Sequence, residues 1–344
     1  MIIRKILILI FVVFIISILF AESFDEMLDK AGKLYNEGKF KEAAELAEEA
    51  FHIGDPNMEH YYNAACSWAL AGNKDMALKN LTKAVDIGWL DVDWMQEDSD
   101  LTTINKDKRF MELVEKIQKK MDELVQKLPT EHNPIGIIQL PKPYYDSKIS
   151  IEKTLKERRS VRRYMDKPLT LSEISQILWA AYGITKPIKD GPAFLRGGLK
   201  TAPSAGALYP LEIYVVAGNV TDLPEGVYKY KPEGHKLIKI LDDDIRIELY
   251  EASFNQDWVR EAPASLVYSA IYSRTTSKYG ERGRERYVCI DLGHSAENVY
   301  LQAISLNIGT VAVGAFDDIR LKLIMNMTKE EEPLYIMSLG KIKK

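Results

Sequence analysis

Four arginines and one serine fall within six residues at Arg158–Arg163, in the segment ERRSVRRYMDKPLT (Glu157–Thr170). Planar guanidinium groups grip phosphate bidentately, and a serine hydroxyl adds another donor. Each charge-assisted contact contributes ~1.5–3 kcal/mol, enough together for a phosphorylated ligand to be retained. The alternative is a basic turn facing water. A second segment, TAPSAGALYPLEIYVV (Thr201–Val216), runs from a Pro-Ser-Ala-Gly loop into an apolar strand. Ser204 and Gly206 can bring backbone donors close to a flat ring there, because glycine has no Cβ to obstruct the approach. A tight structural turn is the alternative. A nucleophile elbow is excluded, since Ala202 stands where G-x-S-x-G needs its first glycine. TVAVGAFDD (Thr310–Asp318) reads as a buried strand ending in a glycine and an acidic turn. SKYGERGRERYVCIDLGHSAENVYLQA (Ser277–Ala303) gathers Lys278, Tyr279, several arginines and His294. We read His294 as an ordinary helix-start histidine in preference to a catalytic one.

Helices and strands alternate irregularly from Ile151 onward, and these elements must position those segments. Thr170 and Glu173 have capping-box spacing, and Leu171, Ile174, Ile177, Leu178 and Ala181 form a helical stripe that ends at Gly183. A second helix is expected from about Ser295 to Asn307. Strands are expected at Glu212–Ala217, Val227–Tyr230, Ser265–Ile271, Thr310–Ala315 and Leu334–Leu339. Several of these are continuously apolar, as strands covered on both faces are. The fold class is therefore α+β, a central sheet with helices packed on both sides.

The preceding chain is built differently. Gly38, Ala43, Ala50 and Gly54 recur as Gly72, Ala77, Ala84 and Gly88, all separated by 34 residues. That is the tetratricopeptide period, in which small residues let paired helices pack closely. A generic helical hairpin is the alternative. A third, degenerate unit is expected, with a loop at Trp94–Asn105 and a helix near Lys108–Gln126. So small a repeat module suits an adaptor with a protein partner better than a catalyst. Pro129, Pro134, Pro141 and Pro143 then mark a linker that can be neither helix nor central strand. The expected organisation is a leader over 1–23, helical repeats over 24–128, a linker over 129–150, and the mixed domain over 151–344.

Arg4 and Lys5 precede an apolar run from Ile6 to Phe20, with acidic residues beyond it. As a helix this run spans ~22 Å, short of a ~30 Å hydrocarbon core, which suits a signal-peptide core better than a stable span. Whether cleaved or kept as an anchor, it predicts an exported, extracytoplasmic protein. The formal charge of −4 argues against a nucleic-acid binder. Only Cys66 and Cys289 occur, with no CxxC, so neither a zinc site nor a disulfide framework is suggested; both are read as buried apolar thiols.

Taken in order, the four segments resemble the nitroreductase superfamily, most closely its SagB/ThcOx-type dehydrogenase branch. The resemblance covers residues 151–344 and rests on RRSVRRY, APSAGALYPLE, KYGERGRERYVCIDLGHSAENVYLQA and GAFDD. It implies a homodimer with FMN at the subunit interface. Arg158, Arg159, Ser160 and Arg162 would hold the phosphate and ribityl end. Pro203, Ser204, Gly206 and Leu208 would lie against the isoalloxazine, with Val313 and Gly314 on another side. It also implies hydride acceptance at flavin N5, with Lys278 and Tyr279 matching a Lys-Tyr pair that assists oxidation of peptide azolines. Free lysine (about 10.4) and tyrosine (about 10) are too basic to deprotonate unaided at neutral pH. Arg274, Arg282, Arg284 and Arg286 would lower both, if folded close.

The chain departs from the family in two ways. It stops four residues after Gly340, leaving Lys341, Lys343 and Lys344 for a phosphate contact that many members make further on. The export signal and the repeat module are also unusual for an enzyme that matures peptides inside the cell. The substrate, a small molecule or a peptide, is left open. An NAD(P)H-dependent nitro- or quinone reductase is one alternative, against which export counts; a non-catalytic interaction scaffold is the other.

Overall fold

Among the described residues, three helices begin with a reciprocal cap. Ser23 and Glu26, Asn57 and His60, and Thr170 and Glu173 each exchange side-chain and backbone hydrogen bonds over the first turn. A Ser, Thr or Asn there satisfies backbone N–H groups that have no intrahelical partner. The computed structural model describes residues 22–343 and divides into two units, one ending at Asp122 and one beginning at Glu123. The apolar run Ile6–Phe20 lies outside the described residues.

In the first unit, helices α1 (Phe24–Asn36) and α2 (Phe40–Ala50) are followed by α3 (Met58–Leu70) and α4 (Lys74–Ile87), each pair starting 34 residues after its counterpart. The turn glycines Gly38 and Gly72 both adopt left-handed backbone, at φ +77° and +79°, where a side chain would be strained. Ala43 and Ala77, like Ala50 and Ala84, are buried where the helices meet. A short helix α5 (Val92–Glu97) and the long α6 (Lys108–Lys127) follow, and the boundary at Asp122 falls within α6. Tyr62 and the buried Cys66 both donate to Asp98, so Cys66 is not a purely apolar thiol. Cys289 is exposed, contrary to expectation, because it lies on the outer face at the start of a helix.

The second unit is organised by one seven-stranded antiparallel sheet in the order β1-β8-β7-β5-β9-β11-β10. Its strands are β1 (Gly136–Gln139), β5 (Leu211–Ala217), β7 (Gly226–Lys231), β8 (Lys236–Leu241), β9 (Ala264–Ile271), β10 (Ile308–Val313) and β11 (Glu331–Lys341); short strands β2 (Leu169–Thr170) with β6 (Val220–Thr221), and β3 (Ile184–Pro187) with β4 (Gly198–Lys200), form two separate ribbons. The period of two divides the sheet's side chains between two cores. Ile213, Val215, Leu266, Tyr268 and Met337 pack with α8 (Leu171–Tyr182) and α12 (Cys289–Ser305). From the opposite face, Tyr214, Val216, Val267 and Ile336 meet α9 (Arg246–Ala252), α10 (Asp257–Arg260) and α13 (Asp318–Ile324). Helices therefore cover both faces, as the continuously apolar strands require. The remaining helices are α7 (Ile151–Glu157) and α11 (Ser273–Tyr279).

Two assignments shift. The second helix starts at Cys289, not near Ser295, and is entered from a π-helical turn at Gly283–Val288. Gly293 looks like a breaker, but the buried stripe Asp291, Ser295, Val299 and Ala303 holds that turn in the helix. The stretch over 129–150 carries edge strand β1, flanked rather than interrupted by Pro134 and Pro141. Its Pro141 carbonyl accepts from Ser175, and its Tyr144 amide donates to Gln176, both on α8.

Candidate active site

The basic segment leaves α7 at Arg158, where the backbone turns extended, and lies along β10. Ser160 bridges Thr310, and Val161 N–H donates to the Thr310 carbonyl at 2.9 Å. Gly309 makes that approach possible, since a Cβ there would stand 2.6 Å from Val161 Cγ1. Tyr164 is buried, and its hydroxyl reaches the Val161 carbonyl and Ser338 Oγ, each at 2.9 Å. With Val161 and Tyr164 turned inward, the arginines face out. Arg158 stacks over the Tyr300 ring and Arg162 over Trp258, at 5.2 and 5.3 Å. Lys153 and Glu157 pair just before them, but among the described residues Arg158, Arg159, Arg162 and Arg163 join no salt bridge. Arg159 turns back to donate to the Lys156 and Arg158 carbonyls; four cations without a carboxylate partner among the described residues, three of them facing outward, suit a phosphate. Lys341 is not available beside them, being paired with Glu173.

Tyr300 ties this segment to the end of β10. Its hydroxyl accepts from Ala312 N–H at 2.9 Å and lies 3.4 Å from Ser160 Oγ. Gly314 is exposed at the strand's end. Val313 departs from the expectation: its side chain is buried in the core with Phe316, Leu321 and Ile336, so only its backbone can face a ligand.

Ser204 also has another role. Its hydroxyl donates to Asp291 and accepts from Tyr209 N–H, while Asp291 accepts from Ala205 N–H. The hydroxyl therefore shapes the loop and leaves the backbone, as expected, to approach a ring. Burial pushes the Asp291 carboxyl up, against the Ser204 and Ala205 bonds that lower it. Gly206, Ala207 and Tyr209 all have positive φ, at +64°, +56° and +47°. Non-glycine residues held there cost about 1–3 kcal/mol each, strain that concentrates at functional sites. Pro203 and Gly206 are exposed, and Leu208 is buried beneath them.

The same loop meets α11. A Cβ on Gly206 would stand 2.8 Å from Tyr279 Oη and 3.1 Å from Lys278 Nζ. Lys278, Tyr279 and Gly206 are thus one constellation, 73 residues apart in sequence at the first and last of them. The neighbouring arginines are only partly as expected. Arg274 is held by Glu212 and by the Tyr209 carbonyl, and Arg284 lies over Tyr272. Arg282 donates to Tyr287, whose ring packs against Tyr279 with centroids 4.8 Å apart. Arg286 is exposed. Burial alone would raise the Glu212 carboxyl, but Lys229, Arg274 and Lys231 outweigh it and hold it down to about 2. Glu212 is therefore a fixed anion anchoring α11 to β5.

Asp291, Tyr300 and Glu212 carried no assigned role from sequence. Asp291 had a signal, a carboxylate within an otherwise small and apolar helical stripe. Glu212 had none, since a strand's first residues are commonly solvated.

Comparison with known proteins matches both units. The model described as "Nitroreductase family" matches residues 155–341, and one described as "A/B hydrolase-like, N-terminal domain" matches residues 23–125. A protein of Methanocaldococcus jannaschii named as a nitroreductase is 48% identical over 204 residues, covering 59% of this chain and 96% of its own. A Ralstonia eutropha crystal structure, likewise named as a nitroreductase, has a TM-score of 0.52 at 29% identity, over 63% of this chain and 98% of that one. Trifolitoxin-processing protein TfxB of Rhizobium leguminosarum bv. trifolii is 33% identical over 109 residues. That match covers 30% of this chain and 29% of TfxB, so under a third of that protein's length is spanned.

Proposed function

Because the chain belongs to the nitroreductase family, we propose that its second unit is an FMN-dependent oxidoreductase of the SagB type, acting as a homodimer. The observation that carries this reading is the cluster Arg158, Arg159 and Arg162, fixed along β10 without a carboxylate partner among the described residues. When bound, FMN supplies a hydride acceptor at its N5. Arg158, Arg159, Arg162 and Ser160 hold its phosphate end, and the 203–208 loop with Gly314 borders its ring. Lys278 and Tyr279, converging on Gly206, move the proton that accompanies oxidation.

Supporting the dehydrogenase branch are that convergence and the likeness to a protein named for processing trifolitoxin. The M. jannaschii relative's name favours the second reading, an NAD(P)H-driven nitro- or quinone reductase. A non-catalytic scaffold would have no use for the strained loop beside Lys278 and Tyr279.

The purified chain is expected to be yellow, with about one flavin per subunit, identified as FMN by mass after release from the protein. Recovery of FAD, or of colourless folded protein that takes up no FMN, would overturn the reading. Rapid NADH-driven loss of the flavin colour would favour the reductase.

We also place the protein outside the cytoplasmic membrane, on the strength of the basic and apolar leader alone, with the 34-residue helical pairs as a tetratricopeptide-like surface for a protein partner. Cell fractionation with N-terminal sequencing tests the location. Soluble cytosolic protein that retains Met1 would sink it.

A further inference from the structure

Asp291 is 2% exposed and lies on the buried stripe of α12, whose other members are Ser295, Ala296, Val299 and Ala303. Burying a carboxylate is costly unless hydrogen bonds or a cation offset it. Among the described residues Asp291 joins no salt bridge. Its hydrogen bonds go to one loop, to the Ser204 hydroxyl and the Ala205 amide. An apolar residue at this position would continue the stripe without that cost. The effect of the carboxylate is therefore on the loop.

The loop runs from Ser204 to Tyr209, and Asp291 holds it at both ends. Ala205 N–H donates to one carboxylate oxygen at 3.2 Å. At the far end, Tyr209 N–H donates to Ser204 Oγ at 2.9 Å. A hydroxyl has one proton and two lone pairs, so the Ser204 proton remains for the other oxygen of Asp291. A carboxylate, which only accepts, satisfies both donors at once. Between these ends Gly206 and Ala207 are turned to φ +64° and +56°, and Tyr209 itself to +47°. Conformations of that kind persist only where their surroundings impose them. Tyr209 also carries the connection onward. Its carbonyl accepts from Arg274 at 3.2 Å, one turn before Lys278 on α11. Hydrogen bonds thus run from Asp291 through Ser204 and Tyr209 to the helix that bears Lys278 and Tyr279. Gly206, inside the loop, stands against the tips of those two side chains.

We propose that Asp291 is a positioning residue of the flavin site: its carboxylate holds the 204–209 loop in the shape that borders the ring and sets Gly206 against Lys278 and Tyr279. The proposal rests on the flavin reading above, and adds to it a residue that acts through Ser204 and Ala205.

Absorption and fluorescence titrations with FMN test it, on the full chain unmodified and as Asp291→Ala and Asp291→Asn. Asp291→Ala releases both ends of the loop and should weaken FMN roughly tenfold or more, equivalent to losing one charge-assisted contact. At FMN saturation, where affinity no longer matters, its visible spectrum should move towards that of free FMN, because the ring has lost an ordered border. General destabilisation would not produce that shift in folded, saturated protein. Asparagine keeps the connection: its carbonyl accepts from Ala205 N–H and its amide donates to Ser204 Oγ, which has a second lone pair for Tyr209. Asp291→Asn should therefore restore affinity and spectrum close to those of the unmodified protein. Unchanged affinity and spectrum in Asp291→Ala would overturn the proposal and leave the flavin reading standing, as would a loss that asparagine does not restore. Unmodified protein that takes up no FMN would overturn the flavin reading, and this role with it. Should Asp291→Ala not fold, Ser204→Ala releases the Tyr209 end alone and should show the same spectral shift in smaller measure; an unshifted spectrum there would decide against the proposal.

Discussion

Replacing Arg158 and Arg162 together with alanine is expected to weaken FMN binding by roughly 10²- to 10⁴-fold. Two charge-assisted contacts at ~1.5–3 kcal/mol each give about 3–6 kcal/mol, and each 1.4 kcal/mol is about tenfold. The protein itself should change little. Within the fold, Arg162 stacks over Trp258 and Arg158 over Tyr300, contacts worth about 0.5–1 kcal/mol at exposed sites. The segment is held from its other side, by Val161 against β10 and by Tyr164 against Ser338, and neither anchor is altered. Riboflavin separates this account from general damage to the site. Lacking the phosphate, it should bind the unmodified protein poorly and the double variant no worse. Fluorescence titration of both flavins against both proteins measures all four affinities. If the folded variant kept its FMN affinity, the arginines would be a solvated basic turn and the phosphate would have to be held elsewhere.

That arginine cluster was legible because its chemistry is local. Four guanidinium groups in six residues need no tertiary contact to be recognised, and neither does the cap formed by Thr170 and Glu173, which appears where the spacing put it. The five strands assigned from their apolar runs appear within a few residues of their expected limits, because burial on both faces leaves a continuous signature. What escaped was set by packing. Strand β8 carries Lys236 and Lys239 among its apolar residues, and β1 sits in a proline-rich stretch. Both lie at or beside the sheet's edge, where the apolar signature is weakest. The Ser204 hydroxyl turns to Asp291, 87 residues away, a partner that no local pattern names. Val313 has the right position but the wrong face, since the strand's period of two sends its side chain into the core. Side-chain direction is decided by the partner, and the partner is not in the local sequence.

The meeting of Lys278 and Tyr279 with Gly206 is the least local feature, and the second large effect is expected there. Taking a hydride from one substrate atom leaves a proton on its neighbour, so a base within reach should accelerate the step by roughly 10²- to 10⁴-fold. Lys278 and Tyr279 are placed for that task by more than their own helix. Glu212 and the Tyr209 carbonyl hold Arg274 one turn earlier, and Tyr287 packs edge-on against the Tyr279 ring. A Lys278→Ala, Tyr279→Phe double variant leaves those anchors intact and should still bind FMN. Mixed anaerobically with a substrate that bleaches the unmodified protein, it should bleach at least about 10²-fold more slowly. Dithionite, which needs no base, should reduce both proteins alike. A second variant tests the placement, with FMN affinity measured alongside because Gly206 sits at φ +64°, where alanine is strained. Gly206→Ala would set a methyl 2.8 Å from Tyr279 Oη and 3.1 Å from Lys278 Nζ, so the two tips must move although both groups remain. It should show an intermediate loss in rate. If the double variant bleached as fast as the unmodified protein, the pair would have no part in proton transfer. If only the double variant were slow, with Gly206→Ala at full rate, the chemistry would stand and the need for close placement would fall.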